Sequence, residues 1–257
     1  MLAKSSILAA LIVFSQPTTA RQDGPAPKPV RTVKESATDI AFPVRFAPVG
    51  GGDSQELTGT GVRTKTIFSV KVYAMGLYLD GAKAAQVLER FRETTPARLE
   101  KNADFQRALV SDALPKTLRL VMARDVDGED MAEAFDDSLG PRIEERVKRQ
   151  ADPAAAGELA RLRGFFTAEL KKGHEVVFSA WPGGALHVRI QGKDQPVLKS
   201  PALVWALFDV YLGDDPISGR TKSAFFAGAA KVAREHVSAA GGAGALDDPL
   251  NPGGGGR

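Results

Sequence analysis

Arg63 and Tyr73 are the side chains of this sequence whose types suggest chemistry. Arg63 follows closely spaced glycines at the approach to a long apolar stretch, and its guanidinium offers paired planar donors that fit a carboxylate or an enolate. Tyr73 carries a hydroxyl on a bulky apolar ring, so it can pack against a ligand and also donate a hydrogen bond. A surface arginine and a core tyrosine would fit the same pattern, and the residues alone leave both interpretations open.

These two residues can share a site only if the chain reverses between them. In one straight strand, residues 63 and 73 would lie about 33 Å apart. The intervening stretch has no glycine, proline or asparagine, so its turn signal is weak. We interpret residues 67–79 as a single long strand that becomes buried on both sides, because they are β-branched, aromatic and apolar.

Several other chemistries are excluded or unsupported. The absence of cysteine excludes disulfides, thiolate nucleophiles and zinc–thiolate sites. The histidines, His174, His187 and His236, lie in no nucleophile-elbow pattern, and we interpret them as exposed or hydrogen-bonded. No metal and no cofactor is expected, with haem ligation by a histidine as a weaker alternative. The glycines of residues 58–63 do not complete a nucleotide-binding motif.

Charge and hydropathy restrict the partners. Lys and Arg total 34 against 31 Asp and Glu, and the signs alternate along residues 144–149, which is typical of a solvated helix face. Nucleic acid is therefore not an expected partner. Beyond the N-terminal segment, no apolar run approaches the length of a membrane span, so the mature protein is expected to have no integral membrane segment.

The N-terminal residues have the pattern of a secretory signal peptide. Lys4 supplies a positive start, residues 7–14 a short apolar run, and Thr18-Thr-Ala20 small residues for cleavage. A periplasmic or secreted location follows, with an uncleaved anchor as the alternative. Composition then predicts a signal peptide, a flexible Pro-rich leader, a folded domain and a disordered Gly-rich tail, over residues 1–20, 21–40, 41–238 and 239–257.

The periodicity inside the domain predicts strands, then helices, then strands and helices again. Helices are expected after Asp127, Asp152 and Ser200, each followed by an apolar stripe at helical spacing, with Gly140-Pro141 interrupting the first. Residues 175–178 and 185–190 read as strands joined by a Trp-Pro-Gly-Gly turn. This order favours an α+β fold, an antiparallel sheet covered by helices on one face.

Two blocks resemble the chalcone isomerase-like family. The first is Gly61–Thr66 followed by Lys71–Asp80, and the second is Trp205–Ser218 followed by a helix containing Lys222. The resemblance implies an open-faced β-sandwich, a large antiparallel sheet under a layer of helices, with a ligand cleft between the two. The family includes flavonoid isomerases, non-catalytic relatives, fatty-acid-binding proteins and some reported haem proteins.

The matched residues favour the fatty-acid-binding branch. Arg63 corresponds to the arginine of the isomerases, but Tyr73 stands where they have a threonine. The tyrosine resembles the fatty-acid-binding branch, in which an arginine and a tyrosine together hold the carboxylate. Val210 falls near a second enzyme threonine, and Asp130 and Asp137 fall near the enzyme's tyrosine and asparagine. This sequence thus keeps the arginine of the isomerases but lacks most of their polar site residues.

We therefore expect an exported protein that binds a fatty acid or a similar amphipathic carboxylate. Arg63 would pair with the head group, Tyr73 would hydrogen-bond to it, and the tail would lie along apolar neighbours. The expected lining residues are Val72, Met75, Val210 and Tyr211. The alternative is an isomerase of the intramolecular-lyase type, in which Arg63 and Tyr73 would polarise the carbonyl of a chalcone-like enone.

Overall fold

A computed structural model describes residues 30–65 and 69–243. Several of its first strands and helices are short, and its main feature is a large antiparallel sheet. The strands are β1 Thr32–Lys34, β2 Ala41–Pro43, β3 Arg45–Phe46, β4 Gln55–Lys65, β5 Val70–Leu79, β6 Lys116–Met122, β7 Glu175–Trp181, β8 Ala185–Ile190, β9 Lys193–Asp194 and β10 Leu198–Lys199. The helices are α1 Gly81–Val87, α2 Pro96–Leu99, α3 Ala103–Val110, α4 Gly128–Arg149, α5 Ala155–Arg163, α6 Pro201–Leu212 and α7 Gly219–Ala243, with one 3₁₀ turn at Glu89–Phe91.

Strands β3 to β10 form one eight-stranded sheet, in which each described pairing is antiparallel. Its order is β10-β8-β7-β6-β5-β4-β3, with β9 paired to β8. The prediction of an α+β fold built on a helix-covered antiparallel sheet is confirmed. The central strands β5, β6 and β7 are buried over most of their length, which explains their nearly continuous apolar sequence.

The chain reverses between β4 and β5, so the single strand predicted over residues 67–79 is wrong in its first part. Strand β5 begins at Val70, and Ser69 before it has a positive φ of 50°. Residues 66–68 lie outside the described part of the chain. The reversal places Arg63 directly opposite Tyr73 in the β4–β5 pairing. The turn was missed because a serine occupies the left-handed position that glycine or asparagine usually marks.

The two faces of β5 bury different clusters. Tyr73, Met75, Leu77 and Leu79 belong to the main core under the helices, as the period of two predicts. The alternate residues face the other side, where Phe42 of β2 covers Tyr78. Strand β2 pairs with β1, so part of the predicted leader over residues 21–40 is a folded ribbon. Three backbone pairings and a turn made by the buried Glu35 carboxylate hold that ribbon, and composition does not reveal such contacts.

Helix α7 packs directly on β4 because glycines remove the side chains between them. A Cβ at Gly61 would overlap Thr221, and a Cβ at Gly228 would overlap the backbone of Thr58. The glycine-rich stretch of β4 is therefore a helix-packing surface. The same helix continues to Ala243, beyond the predicted start of the disordered tail at residue 239.

Helix α4 runs unbroken past Pro141, where the sequence predicted an interruption. Arg142, the next residue, connects α4 to α6 and to the segment after it, because its Nε donates to Asp209 Oδ2 at 3.1 Å and its Nη2 donates to the carbonyl of Asp215 at 2.6 Å. A proline removes one helix hydrogen bond, and these tertiary bonds hold the helix across that gap. The pair α4 and α6 forms the roof over one end of the sheet.

Candidate ligand-binding site

A cavity of about 170 Å³ lies between one end of the sheet and the helices α4 and α6. Strands β4 and β5 form one wall, and the β6–α4 connection and one stripe of α4 form another. The lining residues are Arg63, Lys65, Val72, Tyr73, Arg124, Asp125, Val126, Asp127, Asp130, Met131, Ala134, Phe135, Ser138, Leu207, Val210, Tyr211 and Ile217.

Two buried tyrosine hydroxyls meet at this cavity. The hydroxyl oxygens of Tyr73 and Tyr211 are 3.1 Å apart and hydrogen-bonded to each other. Burial raises the pKa of both, most strongly for Tyr211, so both groups are protonated at neutral pH. One proton serves the bond between them. The second proton is free to be donated to a ligand.

Arg63 is the cation next to this pair. It is half-buried and lies opposite Tyr73 in the strand pairing, and its side chain has no hydrogen bond or ion pair among the described residues. Its positive charge partly offsets the effect of burial on the pKa of Tyr73 and of Tyr211. A cation that lines the same cavity as two neutral hydroxyl donors, with no side-chain partner in the described part of the chain, is suited to receive an anion.

The remaining inner wall is apolar. Met131 and Phe135 come from α4 and are 3% and 6% exposed, while Leu207 of α6 is fully buried. Val72 and Ile217 close the sides and are half-buried. The cavity therefore combines an anion-binding end with hydrocarbon walls, which is the arrangement that an amphipathic molecule requires.

Exposed charges surround the opening. Asp125 accepts hydrogen bonds from the backbone of Lys172 and from the Lys171 ammonium, which lower its pKa. Asp127 caps α4 by accepting from the backbone N–H of Glu129. The side chains of Lys65 and Asp130, like that of Arg63, form no hydrogen bond or ion pair within the described ranges. Among the carboxylates of the lining, Asp130 is thus the one without a partner in that part of the chain.

The structure brings together five of the six predicted site residues. Arg63, Val72, Tyr73, Val210 and Tyr211 all line the cavity.

Met75 does not line the cavity, so its predicted place there needs correction. It lies one side-chain repeat further along β5 than Tyr73 and is completely buried in the main core. Asp130 lines the cavity and Asp137 does not. The sequence predicts an apolar stripe at helical spacing after Asp127 but assigns none of it to the site, so it misses the wall residues Met131, Ala134 and Phe135 of α4.

No histidine lines the cavity. His174 accepts a hydrogen bond from the backbone of Lys171, and His236 Nε2 lies 3.2 Å from Glu56 Oε1. His187 packs against Gly50. Within residues 30–65 and 69–243, no group of three His, Cys, Asp or Glu side chains is arranged to hold a metal ion. In the same part of the chain, no helix has the length and hydropathy of a membrane span.

The protein is thus an α+β protein whose helix-covered antiparallel sheet carries an amphipathic cavity at one end. A profile of the family described as chalcone isomerase-like matches residues 39–226, and the chain belongs to this family. The resemblance seen in its two sequence blocks is confirmed.

Individual relatives agree with this assignment. The chain is 25% identical over 209 residues to fatty-acid-binding protein 1 of Arabidopsis thaliana, covering 79% of this chain and 72% of the relative. It is 26% identical over 192 residues to chalcone isomerase-like protein 1 of Humulus lupulus, covering 70% and 82%. The crystal structure of an Arabidopsis thaliana fatty-acid binding protein superposes with a TM-score of 0.66 at 24% identity, covering 79% of this chain and 99% of that one, which shows a shared fold.

Proposed function

We propose that this protein binds a fatty acid or a similar amphipathic monocarboxylate in the cavity between its sheet and helices. The observation that carries the proposal is Arg63, a half-buried cation that has no side-chain partner among the described residues and lines the same cavity as the Tyr73–Tyr211 hydroxyl pair. The names of the Arabidopsis thaliana relatives, which are fatty-acid-binding proteins, support the same ligand class.

The head group would be held by charge and by the free hydroxyl proton. A hydrogen bond to a charged group contributes about 1.5–3 kcal/mol, so the guanidinium and one hydroxyl together do not supply tight binding. The apolar wall supplies the rest, at about 25 cal/mol for each Å² of hydrocarbon removed from water. The polar end sets the ligand's orientation and class, and the wall sets the affinity.

The isomerase alternative is not favoured. Val210, which falls near a second threonine of the enzymes in the sequence resemblance, lines the cavity, and its side chain offers neither a donor nor an acceptor. Burial raises the pKa of Tyr73 and of Tyr211, so neither is a ready base. These features suit holding a carboxylate better than moving protons.

We also propose that the protein is exported. The support is the signal-peptide pattern of residues 1–20, which lie outside the described part of the chain. Binding and export are independent proposals, since the cavity residues all lie in the folded domain.

Displacement of a fluorescent fatty acid tests the binding proposal. Decanoate and decan-1-ol would compete for the parent protein, for Arg63→Ala and for Arg45→Ala. Arg45 is the control because it lies near the other end of the β4 pairing, in an exposed ion pair with Glu56. We expect decanoate to bind the parent and Arg45→Ala alike, and Arg63→Ala to lose about tenfold or more in affinity for decanoate alone. Absence of saturable displacement from the parent would refute the proposal.

A further inference from the structure

The charged groups that face the cavity without protein partners differ in sign between its walls. Arg63 and Lys65 are on β4, and Asp130 is on the first turn of α4. The side chains of these three residues form no hydrogen bond or ion pair within the described residues, so they are also not paired with one another. Among them, the positive charges are on the strand wall and the negative charge is on α4, while Arg124 of the β6–α4 connection donates its Nε to the carbonyl of Asp125.

A ligand with one carboxylate satisfies both walls. Its head group would meet Arg63 and the hydroxyl pair, and its uncharged tail would pass Asp130 without charge repulsion. A second carboxylate close to Asp130 would be repelled by it. Residues 63 and 65 lie about 7 Å apart along β4. An extended ten-carbon dicarboxylate is longer than that spacing, so it cannot place both charges on that strand.

We propose that Asp130 is a specificity-determining residue that restricts the cavity to ligands with a single negative charge. This inference rests on the proposed binding of a monocarboxylate and adds to it the exclusion of dicarboxylates. Asp130 is exposed, so its repulsion of a second carboxylate is partly screened by water and salt. We expect discrimination of about three- to tenfold from this residue.

Asp130 is the residue to change because its carboxylate is not committed to a structural bond. Asp127 caps α4 and Asp125 is held by residues 171–172, so replacing either would disturb the backbone. Asp137 provides the matched control. It is an exposed aspartate on the same helix and does not line the cavity.

The test is a calorimetric titration of the full chain with decanoate and with decanedioate, for the parent, Asp130→Asn and Asp137→Asn. The inference predicts that Asp130→Asn raises the affinity for decanedioate, relative to the affinity for decanoate, about three- to tenfold over the parent. Asp137→Asn should match the parent. The difference between parent and Asp130→Asn should shrink at high salt.

The outcomes separate this inference from the proposal beneath it. If the parent binds decanoate and Asp130→Asn leaves the ratio of the two affinities unchanged, Asp130 does not determine specificity, while the binding proposal stands. If the parent binds neither ligand, the binding proposal and this inference both fail. Because the readout is a ratio within each variant, a general loss of folded protein does not imitate the predicted change.

Discussion

The Tyr73 and Tyr211 hydroxyls act as a pair, and their coupling gives a prediction for single residues. Tyr73→Phe leaves the buried Tyr211 hydroxyl without its partner, which should destabilise the fold by about 1–3 kcal/mol. Replacing both tyrosines with phenylalanine removes donor and acceptor together, so the double variant should be closer to the parent in stability. Urea unfolding of the two single variants and the double variant measures this coupling.

The same variants should separate stability from binding. The double variant has no hydroxyl to donate, so its affinity for decanoate should fall even though its stability recovers. Tyr78→Phe is the control, since Tyr78 is on the same strand but packs in the cluster on the other face of the sheet. Additive losses of stability in the double variant would contradict the pairing of the two hydroxyls.

Lys116 is a buried ammonium that does not contribute to the cavity, and it makes a pH prediction. It is fully buried, and its Nζ donates to the carbonyls of Ser111 at 2.6 Å and Leu114 at 3.1 Å. Burial lowers its pKa to about 7, against a smaller opposing effect of Asp112. An unfolded lysine has a pKa of about 10.4, so between pH 7 and 10 the unfolded chain binds the extra proton.

The contribution of Lys116 to the free energy of unfolding should therefore rise with pH across that window and stay constant below it. In Lys116→Met this pH-dependent contribution is absent. The two carbonyls also lose their hydrogen-bond donor in this variant, but the cost of that loss does not depend on pH. The parent should gain stability relative to Lys116→Met as the pH is raised from about 7 to about 10. Urea unfolding at both ends of the window measures the gain. Parallel pH profiles for parent and variant would show that Lys116 keeps its proton in the folded state.

At this scale the sequence identified the polar end of the site and part of its apolar wall, Val72 and Val210, but not the wall formed by α4. Arg63 and Tyr73 were found because a guanidinium and a phenol have recognisable chemistry in an apolar setting. Met131 and Phe135 were not, because an apolar residue that faces a cavity has the same helical spacing as one that faces the core. Met75 was assigned to the site for the converse reason, since it shares the strand face of Tyr73 but lies deeper.

Among the elements, the contact of α7 with β4 depends most directly on particular residues. A Cβ at Gly228 would overlap the Thr58 backbone, so Gly228→Ala should separate helix and strand and destabilise the fold by about 1–3 kcal/mol or more. Gly157 of α5 is the matched control, because no atom lies within 4 Å of an added Cβ. Gly157→Ala should stabilise by up to about 1 kcal/mol through helix propensity.

Thermal or urea unfolding of the two alanine variants compares the same substitution in two helices. Opposite signs are expected. A neutral Gly228→Ala would mean that α7 does not approach β4 as closely as described.

The predicted elements were right where pattern alone decides them and wrong where a distant contact does. The strands over residues 175–178 and 185–190 and the Ser200-capped helix follow from alternation, turn residues and capping. The β4–β5 reversal and the unbroken α4 do not, because Ser69 and the Arg142 bonds act against local preference. Strand β1 forms through its pairing with β2, and no local sequence pattern predicts that pairing.

At the scale of the whole molecule, membership of the family accounts for the fold, and the side chains of the cavity indicate the function. The fold is shared with both isomerases and binding proteins, so fold alone does not select between them. Three features favour binding: the Arg63 side chain, which has no partner within residues 30–65 and 69–243, the protonated hydroxyl pair, and the absence of a hydroxyl at Val210. The signal-peptide pattern adds a separate prediction, that the chain recovered from its natural host begins at Arg21, which N-terminal sequencing checks.

Native mass spectrometry tests the central claim most directly. The parent, Arg63→Ala and Arg45→Ala would be sprayed with a small excess of decanoate and, separately, of decan-1-ol. Binding anchored by Arg63 predicts a decanoate adduct on the parent and on Arg45→Ala, and a much weaker one on Arg63→Ala, with no such difference for the alcohol. An unliganded mass for the parent, or an equal decanoate adduct on Arg63→Ala, would contradict a cavity that holds a carboxylate through this arginine.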